Sequence, residues 1–154
     1  MLMPTGKRYI INKIHQTKKL PVMTINLKTI GTWVLKLIAA YIMLQTLFYK
    51  FSASEESVYI FSQLGMEPWG RIGIGILELI ASILMLYPRT TFFGSLLAIG
   101  LMLGAIGAHF TKLGIVVKND GGQLFIYALI VLISSIILAF ICRNDGITFI
   151  KKVI

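Results

Sequence analysis

Residues Trp69–Phe110 read WGRIGIGILELIASILMLYPRTTFFGSLLAIGLMLGAIGAHF. Two almost uncharged runs, about 69–87 and 91–110, flank a Pro-Arg-Thr turn. Each approaches the ~20 apolar residues that a helix needs to cross the hydrocarbon core. A link this short makes the two helices antiparallel neighbours. Open strands are untenable there, because lipid offers no partner to a sheet edge. Working outward, Ile30–Tyr49 and Gln123–Ile141 qualify in the same way, which gives four spans at about 30–49, 69–87, 91–110 and 123–141. The fold class is therefore all-α, a polytopic membrane protein built as a four-helix transmembrane bundle. Composition agrees: 56% of the 154 residues are hydrophobic and only 14% charged, against about 25% charged in soluble domains. An ordinary soluble enzyme and a disordered chain are both excluded.

Between the first two spans lies FSASEESVYIFSQLGMEPW. Ser54 followed by Glu55 and Glu56 is a helix start. Val58, Phe61 and Leu64 then recur at helical spacing and Gly65 ends the element, so a short amphipathic helix is expected on the outer membrane surface. Lys112–Gly122 forms a second outer loop, turned by NDGG. The net charge of +9 is explained by orientation. Eleven Lys and Arg fall on the side of the termini and the 88–90 turn, Lys36 included by snorkelling, against four on the other. Both termini are expected in the cytoplasm. Three regions follow: a basic tail at 1–28, a transmembrane domain at 29–142 and a short tail at 143–154. The opening MLMPTGKRYIINKIHQTKKLPV lacks the apolar core of a secretory signal, and a translation start at Met23 is an alternative reading. The partner implied by the charge is the lipid bilayer. Nucleic acid is excluded for want of a continuous basic surface with stacking aromatics. The single cysteine, Cys142, forms neither an internal disulfide nor a CxxC pair, and four-ligand zinc sites lack their ligands.

Depth singles out a group of polar residues. At 1.5 Å per residue, Gln45 lies about 7–8 Å below Lys50, and Glu78 about 10–13 Å below the outer end of its helix. His109 ends the third span. Arg71 stands seven residues before Glu78, nearly two turns and on one face, with Gly75 clearing space between them. Gln45, Lys50, Arg71, Glu78 and His109 thus make a candidate ligand-binding cluster in the outer half, with Arg71 or Lys50 expected to pair with Glu78. An intramembrane carboxylate is a functional hypothesis by default; the competing reading is a salt bridge that fixes helix register. Gly100, Gly104 and Ala108 form a small-residue stripe expected to bring another helix close. Tyr41, Tyr49, Trp69, Tyr87 and Tyr127 read as interface anchors, and Met43, Met66, Met85 and Met102 as core or lipid-facing filler. No catalytic constellation and no metal site emerge.

The first-helix ending FYKF with Lys50, the loop phrase LGMEPW, IGILELIASILML with Glu78 and LMLGAIGAHF with His109 together resemble the DoxX family, in particular its DoxX-like branch, from about Leu35 to Ile141. The sequence departs at Gln45-Thr46, where many relatives carry a glycine. The resemblance implies a bacterial inner-membrane protein with Lys50, Glu78 and His109 at family-characteristic positions. It also implies association with membrane redox or stress-defence systems, since some members are subunits of a thiosulfate:quinone oxidoreductase. The leading expectation is a non-catalytic membrane subunit or assembly partner of a redox enzyme, with a quinone as its bound group. The alternatives are a homo-oligomeric proton-coupled transporter using Glu78, and a structural or chaperone-like binding module.

Overall fold

A computed structural model describes residues 27–153. The helices are α1 (Leu27–Phe51), α2 (Glu55–Gln63), α3 (Trp69–Leu86), α4 (Thr91–Ala108) and α5 (Gln123–Val153), and a π-helical turn, His109–Leu113, continues α4. Among the described residues there is no strand. Four helices are long and apolar enough to cross a membrane, over Leu27–Phe51, Trp69–Leu86, Thr91–Leu113 and Gln123–Ile147. Most of the basic tail, and the alternative start at Met23, lie outside the described residues.

The four spans form a ring. α1 packs on α3 and α5, and α4 packs on the same two. At its centre, α1, α3 and α4 contribute the same pair four residues apart: Ala39 with Met43, Ala81 with Met85, Ala98 with Met102. These face Ala128, Val131 and Leu138 of α5. The alanines let backbones draw together and the flexible methionines fill the irregular space that remains. Outward-facing Tyr41, Phe48, Ile83 and Phe140 are more than half exposed, as suits side chains that meet lipid.

α3 and α4 come closest at Gly94. A Cβ there would sit 2.4 Å from Met85 N and 2.9 Å from Ala81 O, backbone atoms that cannot swing aside. The expected stripe at Gly100 and Gly104 does not serve this purpose: a Cβ at either position meets nothing within 4 Å. The turn that follows α3 satisfies its own carbonyls. Thr91, fully buried, donates its hydroxyl toward Met85 O and Tyr87 O, both at 3.1 Å, and Thr90 donates to Leu84 O at 2.9 Å. A helix end near lipid needs such partners.

Two boundaries and one side chain differ from expectation. α5 runs through residues 143–153, expected as a tail, because Arg143, Asn144 and Asp145 are polar without breaking a helix. Gly146 also leaves room for Phe92, whose Cδ1 would lie 2.5 Å from an added Cβ. The third span extends to Leu113 through its π turn. Lys36, expected to snorkel to the aqueous side, is 3% exposed, with its ammonium 5.0 Å from the Trp33 ring centre. The short surface helix is present as read: Ser54 caps α2 by accepting from Ser57 N at 3.3 Å, and Ser57 and Phe61 are its buried face. α2 lies across the ends of α1, α3 and the π turn, closing one end of the ring, the α2 end.

Candidate functional site

Just beneath α2 is a cavity of about 440 Å³, within the range of small-molecule sites. Apolar side chains make up most of its wall, among them Met43, Ile60, Phe61, Leu101 and Val131. Its polar groups come from every element around it except α4. α1 supplies Gln45, Thr46 and Lys50, α2 supplies Glu56 and Ser57, and α3 supplies Glu78. His109, Asp120, Gln123 and Tyr127 complete it from the π turn, the loop after it and α5. Gly100 and Gly104 line it and are exposed, so the cavity reaches the flank of the bundle. Their missing side chains make room for the cavity instead of a helix contact.

Glu78 is the polar anchor, 5% exposed. Lys50 Nζ spans its carboxylate, 2.9 Å from Oε2 and 3.2 Å from Oε1. The Thr46 hydroxyl lies 2.9 Å from Met43 O and 3.2 Å from Oε2, so its one hydrogen is shared between them. Gly75 serves the pair as expected, since a Cβ there would press on Phe51 Cζ at 3.3 Å and approach Lys50 Cβ at 3.7 Å.

Of the five expected cluster residues, Gln45, Lys50, Glu78 and His109 line the cavity and Arg71 does not. Arg71 pairs with Glu67, Nη2 to Oε1 at 2.8 Å and Nε to both oxygens at 2.9 and 3.0 Å, and it donates to the Lys50 carbonyl. Helical side chains lean toward the N-terminus, so the arginine meets the residue four before it and turns away from Glu78. It thereby ties the 64–68 loop to the end of α1. Tyr127, expected as an interface anchor, is half-buried, lines the cavity and accepts from Gln123 Nε2.

His109 is fixed by its own turn. Its Nδ1 lies 2.7 Å from Gly114 O, and the ring packs edge-on against Phe125. A carbonyl only accepts, so Nδ1 carries the hydrogen and Nε2 is the free ring nitrogen. Asp120 organises the following loop: Oδ1 accepts from Val117 N at 2.8 Å and Gly122 N at 2.9 Å, and Oδ2 from Leu124 N at 3.1 Å. Burial works against its charge, but these backbone donors and nearby His109 outweigh that and hold the carboxyl below its ordinary value. The NDGG turn takes shape with Lys118, Asn119, Gly121 and Gly122 at positive φ.

Sequence reasoning missed Thr46, Glu56, Ser57, Asp120, Gln123 and Tyr127. Glu56 and Ser57 carried a signal, the SEES helix start, but it marked a cap and not which face turns inward. Ser57 is 5% exposed and its hydroxyl has no hydrogen-bond partner. Among the described residues no group of three His, Cys, Asp or Glu is placed to hold a metal ion.

A ring of four helices able to span a membrane, with a polar-anchored cavity at one end, defines a small integral membrane protein. The model of the DoxX-like family matches residues 34–140, which takes in all four spans and the cavity; the chain belongs to the DoxX-like family. No curated protein and no solved structure matches it.

Proposed function

We propose that this protein is a non-catalytic membrane subunit or assembly partner of a redox system, and that its cavity holds the headgroup of a quinone-type lipophile. The observation that carries the reading is the cavity itself: about 440 Å³ of mainly apolar space at the bundle's flank, with polar groups gathered on one side. An isoprenoid-like chain would leave along the exposed Gly100–Gly104 flank, while the ring sits near Glu78, Lys50 and His109. Lys50 already neutralises Glu78, which favours a headgroup site over the cation-coupled carboxylate of a transporter. The proposed setting is a bacterial inner membrane with both termini cytoplasmic, so that the α2 end faces outward.

The test is purification in mild detergent followed by mass spectrometry of every co-purifying lipid and protein. Near-stoichiometric quinone with a dehydrogenase or reductase is expected. Gly104→Phe, which places a ring where nothing lies within 4 Å of its Cβ, is expected to lose the quinone while keeping its helical circular dichroism. Bulk lipid alone, or quinone retained equally by Gly104→Phe, would sink the reading.

A further inference from the structure

Resting on the quinone reading above, we infer that the cavity prefers the reduced, hydroxyl-bearing form of the headgroup over the oxidised, carbonyl form. The argument is an inventory of what the wall still has to offer. His109 has spent its Nδ1 hydrogen on Gly114 O at 2.7 Å. In the uncharged imidazole its Nε2 therefore only accepts, and the ring, 6% exposed, lines the cavity. Glu56 also lines it, and has no hydrogen-bond or ionic partner among the described residues; an ionised carboxylate again only accepts.

Some donors are engaged, while the Gln45 amide and the Tyr49 hydroxyl, both in the wall, have no hydrogen bond among the described residues. Lys50 spans both oxygens of Glu78, the Thr46 hydroxyl is shared between Met43 O and the same carboxylate, and Gln123 Nε2 goes to Tyr127. Tyr127 keeps its own hydroxyl hydrogen.

A quinone ring offers oxygen acceptors alone. It can satisfy Gln45 and Tyr127, but it offers His109 Nε2 no hydrogen. A quinol offers hydroxyl hydrogens and oxygens together and answers both kinds of group. Leaving a buried acceptor unmade costs roughly a factor of ten in binding. No electron moves in this binding step. A tenfold preference for the reduced form would raise the midpoint of a bound two-electron couple by about 30 mV.

The experiment uses the full chain in nanodiscs stripped of endogenous quinone, under anaerobic conditions at pH 8. Three probes are titrated: decylubiquinone, decylubiquinol and the dimethyl ether of the quinol, which keeps the oxygens and lacks the hydrogens. The expected result is quinol binding roughly tenfold tighter than either of the others, with the preference lost in His109→Phe and reduced in Glu56→Gln. Quinone and quinol binding equally, the ether matching the quinol, or a preference that survives both substitutions would overturn the inference and leave the quinone reading standing. If none of the probes binds, the quinone reading falls with it. The ether comparison uses the wild-type chain, so the inference remains exposed to refutation even if His109→Phe fails to fold.

Discussion

At the scale of single residues, the Lys50–Glu78 pair is the feature whose removal is most informative. Both side chains are largely withdrawn from solvent, 14% and 6% exposed, and they join α1 to α3. Removing one partner of a buried pair leaves the other charge uncompensated, at a cost of about 3–5 kcal/mol. Lys50→Met and Glu78→Gln are therefore each expected to destabilise the protein strongly, and the double variant to lose less than the sum. Unfolding in mixed micelles checks this, and additive losses would show that the pair carries no coupling. The polar residues of the spans were legible as a group because charge is so rare there. The sequence offered Glu78 two cations, Arg71 and Lys50, and did not choose between them. Spacing placed Arg71 and Glu78 on one face, but the lean of helical side chains sends Arg71 back to Glu67 and leaves Glu78 to Lys50, which comes from another helix and so lies outside any periodicity.

Among the elements, α3 and α4 show how a small residue acts through what stands opposite it. Gly94 faces backbone at 2.4 Å, whereas Gly100 and Gly104 face open space. Gly94→Ala is expected to force the helices apart, with an overpacking cost of about 1–3 kcal/mol or more and a matching loss of folded yield. Gly100→Ala is expected to fold normally, as measured by thermal unfolding and size-exclusion profile; equal effects would overturn the assignment of close approach to Gly94. Sequence alone favoured the wrong glycines, because a four-residue repeat is visible and the opposing backbone is not. The extension of α5 was hidden for a similar reason. Polar residues mark where a helix leaves lipid, but not where it ends, and the contact between Gly146 and Phe92 spans 54 positions of chain.

For the whole molecule, the proposed orientation rests on charge, and it can be tested with the chain's own chemistry. Cys142 is buried and is the single cysteine, so Cys142→Ala gives a clean background for Ser62→Cys on α2 and Arg89→Cys on the α3–α4 turn, both exposed positions. A membrane-impermeant maleimide applied to intact cells is expected to label the first directly and the second only after permeabilisation; the reverse pattern would invert the topology. The sequence by itself determined the class, the four spans and the short capping helix. Those depend on hydrophobic length and local capping chemistry, which are properties of contiguous residues. It also placed Gln45, Lys50, Glu78 and His109 at one end, because depth along a helix is arithmetic. Only the tertiary structure decided which cation meets Glu78, that Arg71 stands apart, and that Glu56, Ser57, Asp120, Gln123 and Tyr127 close around the same space. A cavity is the gap left between elements distant in the chain, and its shape depends on how their side chains interlock, which no local pattern encodes.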